Sequence, residues 1–164
     1  MAESQKSLDD LFHETLKDIY YAEKQILRAL PRMAKAAQTA ELKQAFLTHR
    51  DETEQQVARL EDVFETIGKA ARGKTCDAIV GIIEESKEVI EDFKGSPALD
   101  AGLLAAAQAV EHYEISRYGT LRTWAEQLGN PEAAKLLDAT LAEEKKTDDL
   151  LTELARGKVN TKSG

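Results

Sequence analysis

Apolar residues recur along this chain at three- and four-residue steps, the spacing that lines one face of an α-helix. The first such stripe is Leu8, Phe12, Thr15, Ile19, Glu23, Ile26, Leu30 and Met33, which predicts a helix over 7–38. Ser7, with Asp10 three residues later, has the form of a capping box at its start. Pro31 falls inside the stripe and should remove one backbone hydrogen bond and kink the helix. Thr39 is positioned to cap a second helix over 40–68, with the stripe Leu42, Phe46, His49, Thr53, Gln56, Leu60, Val63 and Ile67. The run GKAARGK, 68–74, breaks the pattern as a loop.

A shorter helix over 75–94 follows, with Ile79, Ile82, Ile83, Val89 and Ile90 apolar and Gly95 as its stop. Ser96-Pro97 reads as the cap and first residue of a helix over 97–128. Its stripe is Leu103, Ala107, Val110, Glu114, Tyr118, Leu121, Ala125 and Leu128. Gly129-Asn130-Pro131 reads as a stop, a cap and a restart. The last helix, 131–156, carries Leu137, Leu141, Glu144, Asp148 and Leu151, and residues 157–164 read as a frayed tail.

Two tight turns and one long connection thus join four long helices, and the long connection holds the short helix. That order predicts an all-α fold, a ferritin-like four-helix bundle: two helix hairpins joined by a long crossover that contains an additional helix. A plain helical bundle with a fifth packed helix satisfies the same periodicity. At 164 residues the chain reads as a single domain.

Composition narrows the function classes. A net charge of -8 disfavours nucleic acid and anionic membranes as partners. The basic tail residues Arg156, Lys158 and Lys162 make a short, weak arm. The one cysteine, Cys76, rules out an internal disulfide framework and reads as a packing residue near a helix cap. The first residues carry Glu3, Asp9 and Asp10 and no apolar signal core, and no run reaches the length of a membrane span, so a cytoplasmic protein is expected. The outward apolar residues Leu16, Leu27, Leu136 and Leu150 exceed what one crossover helix covers, which predicts a homodimer.

The chemistry lies in what interrupts the stripes. Carboxylates fall at mid-helix on faces that should be buried: Glu23, then Glu52 beside His49, then Glu111 with Glu114, then Glu144 with Asp148. A bare buried carboxylate costs several kcal/mol even after relaxation. The depths match. Glu23 lies about sixteen residues before the first hairpin turn and Glu52 about thirteen after it; Glu114 and Glu144 lie about fifteen residues on either side of the second. At ~1.5 Å per residue, both sets sit ~20–27 Å from their turns. Glu114, Glu144, Asp148 and His49 fall near stripe centres, Glu23 somewhat off centre, and Glu52 and Glu111 towards the edge. His112 falls opposite its stripe and reads as a surface residue.

Acids from four helices at one depth call for cations among them. The candidate metal ligands are Glu23, His49, Glu52, Glu111, Glu114, Glu144 and Asp148. Six carboxylates and one imidazole are a hard, oxygen-rich set that suits two Fe or Mn ions, with Zn as a substitute. The surface-acid reading stands beside this one for every glutamate, and an orienting role behind a ligand stands beside it for Asp148. Tyr20, Tyr21, Tyr113 and Tyr118 read as packing residues with a hydroxyl near water.

Several phrases together carry a family resemblance: DIYYAEKQILRALPRMAKAA (Asp18 to Ala37), His49-Arg50-Asp51-Glu52-Thr53 with Gln56 and Arg59-Leu60, EHYEISRYGTLR (Glu111 to Arg122), WAEQLG (Trp124 to Gly129) and EEKKTDDLL (Glu143 to Leu151). In these the chain resembles the bacterial ferritin-like YciE/YciF stress-protein family, over nearly its whole length. The resemblance implies a ferritin-like bundle, a dinuclear metal centre, dimerisation and a link to stress responses, with no defined reaction. The chain departs from the usual Glu-x-x-His pattern of di-iron bundles: His49-x-x-Glu52 reverses it, and Glu144-x-x-x-Asp148 lacks the histidine.

The functional expectation is protective redox chemistry, in which two metal ions act on peroxide, dioxygen or ferrous iron. The rival is a structural stress protein without enzymatic activity, whose metal only holds the bundle. A DNA-protecting role is disfavoured by the charge.

Overall fold

A computed structural model describes residues 5–164; Glu3 of the acidic N-terminal stretch lies outside them. Five α-helices are present among the described residues: α1 (Leu8–Ala36), α2 (Ala40–Thr66), α3 (Asp77–Asp92), α4 (Leu99–Gln127) and α5 (Pro131–Leu154). α1 packs on α2, α2 on α5, α5 on α4 and α4 on α1, which closes a four-helix ring. α3 lies outside it, against both α1 and α4, and roofs the seam between them. The crossover therefore contributes cover, while the four long helices enclose the core.

Local chemistry sets the helix ends. Ser7 caps α1 as a full capping box, its hydroxyl accepting from Asp10 N while Asp10 accepts from Ser7 N at 2.8 Å. Asn130 accepts from Ala133 N, Pro131 opens α5, and Gly129 takes φ +70° to turn the chain. Cys76 caps α3, its Sγ accepting from Ile79 N. Pro31 withholds one donor, yet α1 continues to Ala36.

Four sequence expectations change. Thr39 occupies the cap position of α2 but its side chain makes no capping bond. The carboxylate of Asp100, from α4, accepts instead from Gln38 N at 2.7 Å and Thr39 N at 2.8 Å. An ionised carboxylate is the stronger acceptor at the positive end of a helix. Ser96 and Pro97 are used up in a turn, with Ser96 Oγ accepting from Ala98 N, so α4 begins at Leu99. The tail is not frayed: Ala155–Val159 forms a π-helical turn and Asn160–Lys162 a 3-10 turn, anchored by buried Val159 and a Lys158–Glu41 ion pair. Leu16, expected to face outward, is fully buried. The connector before α3 is tied back to that stretch of α1, with Lys74 N donating to Lys17 O and Gly73 seated against Tyr21. Leu150 is exposed, while Leu27 and Leu136 are half-buried.

One glycine decides where the roof sits. A Cβ on Gly102 of α4 would lie 2.6 Å from Val89 Cγ1 of α3. The bare backbone there lets the crossover helix lie flat on the bundle.

Candidate metal centre

Each of the four bundle helices sends a polar group into the same part of the core. Glu23 comes from α1, His49 from α2, Glu111 and Glu114 from α4, and Glu144 from α5. All four glutamates are fully buried and His49 is 3% exposed. They are buried because their neighbours at three- and four-residue steps form the apolar stripe: Ile19 and Ile26 flank Glu23, Val110 and Tyr118 flank Glu114, and Leu141 precedes Glu144.

Their polar atoms are poorly matched by protein. Tyr118 donates to Glu23 Oε1 at 2.5 Å. With the carboxyls ionised, seven of their oxygens have no hydrogen-bond donor, namely Glu23 Oε2 and both oxygens of Glu111, Glu114 and Glu144. A shared proton would pair Glu23 with Glu114 and Glu111 with Glu144. His49 Nε2 lies 3.1 Å from Glu111 and 3.8 Å from Glu144, but without hydrogen-bond alignment. Native proteins hold only a few unsatisfied buried polar groups per hundred residues. Here most of them share one cluster. His49, Glu114 and Glu144 each offer a ligand atom, and the three atoms lie within 4.8 Å of one another.

The electrostatics follow from crowding. Burial, then the Glu144 charge, pushes the Glu23 carboxyl up to about 8. Burial followed by the Glu144 carboxylate raises Glu111 well above the usual range, and burial followed by the charges of Glu144, Glu23 and Glu111 does the same to Glu114. Burial lowers His49, with Glu144 and Glu52 pulling partly the other way, so the imidazole is biased to its neutral, ligating form. Burial and the Glu23 and Glu114 charges raise the Tyr118 hydroxyl, which keeps it a donor.

Around the cluster a supporting layer is well bonded. Arg59 donates to Glu143 at 2.9 and 3.1 Å and to Thr140 at 2.7 Å, and Gln56 donates to Glu143 at 3.0 Å. Burial opposes ionisation of Glu143, but Arg59 and Gln56 outweigh it and hold its carboxyl below the usual range. This clasp ties α2 to α5 beside the acids.

Two predicted ligands stand apart. Glu52 is half-exposed at the rim, accepting from Thr147 at 3.3 Å. Asp148 turns away, 3.2 Å from His112 and accepting from Gln108 at 3.3 Å. Stripe position placed Asp148 inward, but α4 presents two donors at its level and draws it outward. Glu111, placed at the stripe edge, is fully inside. Sequence reasoning missed the Tyr118–Glu23 bond and the Arg59–Glu143 clasp. Tyr118 lies four residues after Glu114, on the same face, which was the available signal.

Two helix hairpins, a roofing crossover helix and a dense knot of buried acids define a ferritin-like helical bundle. The chain belongs to the family described as Domain of unknown function (DUF892), which matches residues 7–163. It is 51% identical over 160 residues to Protein YciF of Escherichia coli, covering 96% of each chain. Among solved structures, the Escherichia coli stress protein YciF matches with a TM-score of 0.91 and 49% identity, over 96% of this chain and 100% of that one. YcfI from Rhodopseudomonas palustris, described provisionally as a structural protein, matches at 0.87 and 42%, over 93% and 97%. A protein from Xanthomonas campestris pv. campestris shares the fold at 23% identity and a TM-score of 0.72, over 94% of this chain and 95% of that one. The bundle and the stress-protein family expected from the sequence hold. No helix among the described residues is long and apolar enough to cross a membrane.

Proposed function

We propose that this stress-family protein binds two divalent cations, Fe or Mn, in the bundle core, and uses them against small oxidants. The reading rests on one observation: seven carboxylate oxygens that lack a donor when ionised and one partnerless imidazole nitrogen, buried together and supplied by four helices. Glu23, Glu111, Glu114, Glu144 and His49 would hold the ions. Four carboxylates then balance two dications without a further anion, which a six-acid set including Glu52 and Asp148 would not do. Hard oxygen donors with a single imidazole favour Fe or Mn, and Zn would substitute.

When bound, two redox-active ions would each supply one electron, and solvent two protons, for converting peroxide to two waters. The chain's own residues do the rest. The apolar stripes exclude bulk water, Tyr118 fixes the Glu23 carboxylate, and the Arg59–Glu143 clasp holds α2 and α5 at a set separation. Because the empty-state carboxyls hold protons to unusually high pH, metal loading releases protons.

Replacing Glu114 and Glu144 together by Ala should abolish metal uptake, read by elemental analysis of the folded variant. Metal content equal to wild type would refute the assignment. A structural role is the second reading, favoured by the description of the Rhodopseudomonas palustris relative. Fe(II)-loaded protein should consume peroxide under the first reading and stay inert under the second. We also expect a homodimer, since Leu11, Val80 and Phe93 remain exposed, with sedimentation velocity as the check.

A further inference from the structure

The acids are buried, so a cation needs a way in. A four-helix ring has four seams, and they differ in what they offer a cation. The α1–α2 and α4–α5 seams belong to the hairpins, where the helices pack most closely. The α1–α4 seam lies beneath α3. Under that roof is a cavity of about 10 Å³ lined by Ile26, Ile82, Ile83, Ala107 and Val110, with His49 as its ionisable wall residue. Its Ser86 hydroxyl is spent on Ile83 O at 2.6 Å. A hydrated dication gains nothing from such walls and loses its solvation.

The α2–α5 seam differs. One stretch is closed by the Arg59–Glu143 and Arg59–Thr140 bonds. Beyond Glu143, towards Thr147, the small side chains of Ala45 and Thr48 leave an open groove of about 370 Å³. Its charged lining is Glu52, Asp149 and Glu153 against Lys146, an acidic balance. His49 forms part of its inner wall. That same imidazole is 3% exposed, its Nε2 is unpartnered, and it touches Glu111. One side chain therefore bounds both the solvent groove and the acid cluster.

We propose that this groove is the loading port for divalent cations, and that Glu52 is the transfer ligand that hands them past His49 to the buried acids. The inference rests on the metal-binding reading above. Glu52 suits transfer. It is half-exposed and held only by a 3.3 Å bond from Thr147, so it can swing between groove and cluster. The resident acids are fully buried and have no such freedom. Asp149 and Glu153 raise the local concentration of cations at the mouth.

The test uses Co(II), whose visible absorption develops as it gains protein ligands, in stopped-flow mixing with metal-free protein. Glu52→Gln should slow loading about tenfold, with the final absorbance unchanged. Asp149→Asn with Glu153→Gln, both on the surface, should slow it less and weaken its salt dependence. Glu84→Gln, the same charge change on α3, should load like wild type. Unchanged loading rates in all port variants would overturn the port. A reduced endpoint in folded Glu52→Gln would overturn the transfer role, because Glu52 would then be a resident ligand. Wild-type protein that takes up no Co(II) would instead sink the metal-binding reading, and the port with it.

Discussion

Metal-free protein should lose stability between about pH 6.5 and pH 8, the reverse of what an ordinary acidic surface gives. Glu23 has an ordinary carboxyl value of 4.5 when unfolded and is pushed to about 8 when folded. In between, the folded chain binds the extra proton, so raising the pH favours unfolding. The contribution is complete below 4.5 and gone above about 8. One such group contributes on the order of 1 kcal/mol per pH unit while the folded chain alone holds the proton, a large share of a typical domain's stability. Glu111 and Glu114 shift in the same direction and steepen the fall. His49, lowered by burial, works the other way below its ordinary 6.5, so the cleanest window lies above that. Urea unfolding of chelator-treated protein, followed by circular dichroism, should show at least about 2 kcal/mol lost across the window. Saturating Mn(II) should reverse the trend, because metal competes with those protons. A flat or rising metal-free profile would refute the claim that these carboxyls are dry and crowded.

Tyr118→Phe removes the hydroxyl bonded to Glu23 and should weaken metal affinity about tenfold, by competition with a fluorescent chelator; unchanged affinity would remove Tyr118 from the site. Asp100→Ala strips the acceptor for Gln38 N and Thr39 N and should cost about 2–3 kcal/mol in urea unfolding, where under 1 kcal/mol would mean water replaces it. Gly102→Ala drives a methyl into Val89 and should cost about 1–3 kcal/mol, with Val89→Ala restoring part of it; no restoration would place the strain elsewhere.

Much of the fold was legible because it depends on local signals. The Ser7 box, the Gly129-Asn130-Pro131 restart and the four stripes each act over a few residues, and each lies where periodicity put it. The start of α4 was not legible, since Ser96 and Pro97 suit a turn as well as a cap, and packing chose the turn. Asp100, as the true cap of α2, comes from sixty residues away and leaves no trace in the local pattern. Within the site, depth and angle together anticipated that Glu23, His49, Glu114 and Glu144 are buried at one level, while Glu111 lies further in than its stripe-edge angle indicated. They misplaced Asp148 because an inward angle competes with whatever donors the next helix offers, here Gln108 and His112. Glu52 lies at the rim because at its level the seam opens to solvent.

Anomalous diffraction from Mn(II)-soaked crystals tests the central claim most directly. Two peaks should lie among the carboxylates of Glu23, Glu111, Glu114 and Glu144, one of them also within bonding distance of His49 Nε2. A core with no peak, its glutamates paired through shared protons or water, would contradict the account.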